Sequence, residues 1–191
     1  LKPPFSPQTY YEALHAAQEA TYEAIVVDSM SHEWAGDGGC QDIHDDEWEK
    51  LGNTEGTNIL AWRLPKRDHK RMMSRLVQFR SHLIFCLRGE EKIKFVDDPD
   101  KPGKKKIVPV GWQPICEKNF MFEMTASFLL LDDQPGYPRP IKLQEQHKAF
   151  FRPDRHIDEQ SGDLMAQWAA GGNGQQTVDN NQQRARAEPA A

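Results

Sequence analysis

Asp28, Ser29, Glu33 and Arg88 are the residues of this 191-residue sequence whose types and placement come closest to phosphate chemistry. Asp28 closes the run Ala24-Ile25-Val26-Val27-Asp28. An acid at the carboxyl end of a buried strand lies where open parallel sheets bind ligands. Such a carboxylate can hold the water shell of Mg²⁺, a small hard cation that keeps several of its waters; a strand-end cap is the plainer alternative. Glu33 follows in Asp28-Ser29-Met30-Ser31-His32-Glu33-Trp34, where a carboxylate can polarise an attacking water or be a solvated loop acid. Arg88 ends His82-Leu83-Ile84-Phe85-Cys86-Leu87-Arg88. Its planar guanidinium suits the terminal phosphate of a nucleotide, and an ion pair with Asp28 or Glu33 is the competing use.

Two other groups carry chemistry. Lys104, Lys105 and Lys106 with Trp112 nearby combine charge with a stacking ring, as single-stranded nucleic acid requires; solubilising charge on an exposed hairpin is the alternative. His32, Cys40, His44, Asp45 and Asp46 concentrate possible metal ligands, and a metal-dependent enzyme using His32, Asp45 and Asp46 is a further option, although their spacing matches no zinc pattern.

The elements that must position these residues alternate between helix and strand. Ser6-Pro7 opens a stretch with Tyr10, Leu14, Ala17 and Ala20 at near-helical spacing, so a helix is expected over about 7–21. It feeds a strand ending at Asp28, whose continuous small and β-branched residues suit burial on both faces of a parallel sheet. A short helix is expected around 43–51. Another begins at Asn58, is kinked or restarted by Pro65, and continues to about Arg80 with Met72, Met73 and Leu76 inside and Lys66, Arg67, Lys70, Arg71 and Arg75 elsewhere. The second core strand, 82–88, follows at once. Alternating residues 92–96, the turn at 98–103 and residues 104–110 predict an exposed β-hairpin. Residues 126–132 read as a third core strand, 141–143 as an edge strand and 161–170 as a last helix. Residues 171–191 have no aromatic residue and much Gln, Asn, Gly and Ala, the composition of a disordered tail.

Composition limits the rest. A net charge of -5 excludes a protein that coats nucleic acid through its overall charge, while leaving local basic patches free to bind phosphates. Three cysteines, Cys40, Cys86 and Cys116, widely spaced, suggest no disulfide framework and fit a reducing cytoplasm. No apolar run approaches the roughly 20 residues that span a bilayer, so no membrane association is expected. The start, Leu1-Lys2-Pro3-Pro4-Phe5, has no initiator Met and reads as an N-terminal cut.

Several stretches taken together resemble the phage and prophage AAA-family ATPases with a RecA-like P-loop core, some of which act in recombination or single-strand annealing. The resemblance rests on residues 25–34 followed by Gly36-Asp37-Gly38-Gly39, on Ala61-Trp62 with Pro65-Lys66-Arg67, on 82–88, on Gly111-Trp112-Gln113-Pro114 and on Phe122-Glu123. It covers about residues 1 to 132. It implies an α/β fold with a partial RecA-like parallel sheet, flanking helices and an inserted hairpin, the core ending near residue 145, an extension over 146–170 and the tail beyond. It also implies ATP and Mg²⁺ as cofactors, DNA, chiefly single-stranded, as partner, and a homo-oligomer. By the same resemblance Asp28 and Ser29 look like the Walker B position, Arg88 like the strand-end sensor, and 31–57 and 89–112 like the DNA-facing loops. One departure stands out: no Gly-x-x-x-x-Gly-Lys-Ser/Thr occurs in the sequence, so the loop that cradles phosphates is not among these residues. The 191 residues by themselves are therefore expected to be inactive; a non-catalytic nucleic-acid-binding or scaffold module is the alternative.

Overall fold

The computed structural model describes residues 1–101 and 103–172. The tail expected to be disordered lies outside the described residues beyond Gly172. The chain is of the α/β class, and its described residues divide into two compact units, one over Leu1–Glu117 and one from Lys118 onward.

In the first unit, helix α1 (Pro7–Glu19) starts where Ser6 Oγ accepts a hydrogen bond from the Thr9 backbone N–H and Pro7 occupies a first-turn position that needs no donor. It buries Tyr10 and Leu14. Strand β1 (Ala24–Asp28) pairs in parallel with β2 (His82–Cys86), placing Asp28 level with Cys86. Between them lie the short α2 (Ser31–Ala35), α3 (Cys40–Lys50), α4 (Glu55–Ala61) and α5 (Arg63–Leu76). The break between α4 and α5 falls at Trp62, which puts Pro65 in the first turn of the new helix, where its missing N–H costs nothing. Helix α5 buries Pro65, His69, Met72, Met73 and Leu76 at helical spacing. Each of the three large apolar side chains contributes about 1.5 to 3 kcal/mol by leaving water.

The hairpin is present as β3 (Gly89–Asp97) and β4 (Lys105–Pro114), antiparallel, with a register shift after Lys92. Gly111, at φ +88°, takes the left-handed conformation beside that shift.

The expected core sheet differs from the observed one in two respects. The strand ending at Asp28 was expected to be buried on both faces and 82–88 to be a second core strand, yet one face of the pair is open: Val26 and Ile84, directly opposite each other, are 62% and 52% exposed. The expected third core strand does not join them. Residues 127–129 form β5 (Ser127–Leu129), which pairs antiparallel with β6 (Arg139–Lys142) in the second unit. Residues 130–138, with Pro135 and Gly136, make too short a link for a parallel crossover and instead fold the chain back on itself. Among the described residues each of the three sheets has two strands.

The second unit also holds α6 (Phe120–Glu123), a 3₁₀ turn at Glu145–His147 and α7 (Glu159–Ala169), which is capped by Asp158 accepting from the Ser161 N–H. His147 is fully buried against Trp168 (4.3 Å, edge-on) and Phe150, and burial lowers its pKa.

Candidate functional site

The segment after β1 turns sharply inward. Met30 N–H donates to the Cys86 carbonyl, the Arg88 N–H donates to Ser31 Oγ, and Tyr10 Oη donates to the Ser29 carbonyl. Ser29 Oγ accepts from the Ser31 N–H. These bonds fix residues 28–31 between α1 and the end of β2.

Asp28, at the carboxyl end of β1, remains exposed, and among the described residues no hydrogen bond or ion pair engages its carboxylate. Arg88 is exposed as well, and its guanidinium forms no ion pair with Asp28 or Glu33.

Glu33 has a different setting from that of a solvated loop acid. It is 1% exposed. His69 Nδ1 stands 3.0 Å from Glu33 Oε1, and the Cys40 thiol donates to the same oxygen at 3.3 Å. The three donor atoms lie within 4.8 Å of one another. Burial, reinforced by the charge of Glu33, pushes the Cys40 thiol far above its ordinary range, so it is a protonated thiol and not a nucleophile. The same causes raise Tyr10. Cys116 is pushed up to about 12, first by burial and then by Glu117 and Glu33.

This cluster depends on a close crossing of α2 and α3. A Cβ on Gly39 would sit 2.7 Å from the His32 carbonyl oxygen, 2.8 Å from that of Gly36 and 2.9 Å from that of Glu33. Only glycine lets the chain pass so near and bring Cys40, the first residue of α3, onto Glu33.

Of the other metal-ligand types named from sequence, only the neighbours His44 and Asp45 meet, and they gather no third ligand among the described residues. His44 stacks on Trp62 at 4.2 Å and contacts Asp45 and the Asn58 carbonyl. His32 lies against Phe5, and Asp45 and Asp46 face solvent. Trp62 also stacks on Trp34, giving a column Trp34–Trp62–His44 beside the cluster. His69 was missed in the sequence, although its position relative to Met72, Met73 and Leu76 already places it on the apolar face of α5.

Two groups of basic residues bear on phosphate binding. Arg67, Arg71 and Arg75 line a groove of about 340 Å³ against the start of α1. They are already engaged there: Arg67 and Arg71 share Asp68, at 3.1 Å and 3.8 Å, and the Arg75 guanidinium lies 4.7 Å above the Tyr11 ring. Lys104, Lys105 and Lys106 are exposed at the hairpin tip. Trp112, 46% exposed, is near its base, roughly 23 Å away at 3.3 Å per residue. The pairings Asp97 with Lys105, Phe95 with Ile107 and Glu91 with Trp112 put Phe95, Lys105 and Trp112 on one face. Phe95 was not singled out in the sequence; its alternation with Ile93 was the available signal. No helix among the described residues is long and apolar enough to cross a membrane.

Comparison with known protein families, with curated proteins and with solved structures finds no match to this chain.

Proposed function

We propose that these residues form the Mg²⁺ side of a RecA-like, P-loop-type ATPase core that acts on DNA in phage-type recombination or annealing. The observation that most favours this reading is Asp28: a carboxylate at the carboxyl end of one parallel strand, level with the end of its neighbour, exposed and engaged by no other side chain. An unengaged hard oxygen donor fits a ligand to the waters of Mg²⁺, which when bound would neutralise phosphate charge. Arg88, beyond the end of β2 and equally unengaged, is suited to the terminal phosphate. Ser29 holds the turn that aims Asp28 outward, through its hydroxyl to the Ser31 N–H. Glu33, sealed against His69 and Cys40, serves in this reading as the anchor of that turn; it is too enclosed to polarise a water.

The reading requires a Gly-x-x-x-x-Gly-Lys-Ser/Thr loop from chain outside the 191 residues, and also further elements over the open face at Val26 and Ile84. Determination of the reading frame upstream of Leu1 is expected to reveal that loop; a start codon immediately before Leu1 would remove the ATPase assignment.

A second reading, a nucleic-acid-binding module without catalysis, is favoured by the shared face of Phe95, Lys105 and Trp112, which interleaves aromatic rings and charge. Titration of fluorescent oligothymidylate tests it: salt-sensitive binding that falls on replacing Lys104, Lys105 and Lys106 by Ala supports the hairpin as the track, and absence of binding at low salt eliminates it.

A further inference from the structure

Three donor types from three helices, Glu33 of α2, Cys40 of α3 and His69 of α5, converge in the interior on a single carboxylate oxygen. Their separations can be compared with those around a tetrahedral ion. With bonds of about 2.0 Å to oxygen and nitrogen and about 2.3 Å to sulfur, the oxygen–nitrogen edge is about 3.3 Å and the oxygen–sulfur edge about 3.5 Å. The observed distances are 3.0 Å and 3.3 Å, with the third edge within 4.8 Å. An expansion of a few tenths of an ångström, achieved by side-chain rotation, would turn the hydrogen-bonded cluster into a coordination site.

The geometry points to a three-ligand zinc site at Glu33, Cys40 and His69, distinct from the Asp28 strand end and not dependent on the nucleotide reading. A thiolate, an imidazole and a carboxylate together suit zinc, a borderline ion, better than Mg²⁺ or Ca²⁺, which take oxygen ligands. The three residues supply three ligands and leave a fourth position. On binding, the thiol proton is released to solvent and the imidazole binds through Nδ1 with its proton on Nε2, so the zinc charge replaces the protons that now hold the cluster together. The consequence is mechanical: the ion would tie α2, α3 and α5 at the point where the chain leaves β1. Of the ligand candidates visible in the sequence, Cys40 belongs to this site, whereas His32, His44, Asp45 and Asp46 do not.

The test uses the 191-residue chain refolded with Zn²⁺ or Co²⁺ and freed of loosely bound ion on a desalting column. One metal per chain is expected, with a thiolate-to-cobalt charge-transfer band in the near ultraviolet that persists in Cys86→Ser and disappears in Cys40→Ser. The unmodified zinc-loaded chain supplies a check that needs no variant: X-ray absorption should show one sulfur at about 2.3 Å among nitrogen and oxygen neighbours at about 2.0 Å. Zinc should also raise the thermal midpoint, and chelation should reverse the rise. A substoichiometric metal content, a first shell without sulfur, or a charge-transfer band that survives Cys40→Ser in a chain with native circular dichroism would overturn the assignment. None of these readouts depends on ATP turnover, so failure here leaves the Asp28 proposal standing, and the converse holds.

Discussion

The Glu33–Cys40–His69 cluster and the β3–β4 hairpin use the same kind of material, polar side chains beside aromatic rings, in opposite solvents. In the cluster, every polar group has exchanged water for a neighbour, so each residue contributes to the fold as well as to any chemistry. In the hairpin, Lys104, Lys105, Lys106, Phe95 and Trp112 keep contact with water and support little beyond their own strands. Substitution should therefore change stability in the first region and leave it nearly untouched in the second, where only binding responds.

The largest effect expected is from Glu33→Ala. It removes the shared acceptor of His69 and Cys40, and should cost about 3 to 5 kcal/mol in urea unfolding. A loss below about 1 kcal/mol would mean that the cluster is not the sealed anchor described above. Gly39→Ala should cost about 1 to 3 kcal/mol, since the new methyl group meets three backbone oxygens that cannot rotate away. Away from both regions, Ser6→Ala removes the cap of α1 and should cost about 1 kcal/mol by the same measurement.

The second unit sharpens the contrast with a buried group that titrates. The His147 pKa is lowered from 6.5 by burial, so the unfolded chain takes up the proton first as pH falls. The stability this group contributes is complete above about pH 6.5 and is lost as pH drops toward the folded-state pKa. Urea midpoints between pH 8 and pH 5 should show the decline, and it should be absent in His147→Phe. The smallest stability effect is expected at the hairpin tip, where replacing Lys104, Lys105 and Lys106 together by Ala should change unfolding by no more than about 0.5 kcal/mol. The same replacement should lower the salt slope of single-strand binding by about 2.

Periodic segments were legible in the sequence because local chemistry decides them. The Ser6-Pro7 start of α1, the Met72, Met73 and Leu76 face of α5, and the alternation and turn of the hairpin all correspond to elements observed close to their expected positions. Strand partnership was not legible. An apolar run does not specify its neighbour, and residues 126–132 were assigned to the core sheet when the short, Pro-containing link to Arg139 makes Ser127–Leu129 half of a hairpin. The same run cannot say whether both faces are covered, hence the unexpected exposure of Val26 and Ile84.

At the candidate site, the exposed position of Asp28 follows from the end of a strand, which the sequence marks. The burial of Glu33 does not, because it arises from the tertiary crossing that Gly39 permits and from His69, distant in sequence. Reading His69 with its helical neighbours would have placed it inside, but not against Glu33.

The most direct test is steady-state ATP hydrolysis by the protein translated from the complete reading frame, with Asp28→Asn as the single change. A fall in kcat of about 100-fold or more, with the urea midpoint unchanged, is the predicted result for loss of a metal-water ligand. Undiminished turnover in a folded Asp28→Asn protein would contradict the assignment of Asp28 to the ATP site.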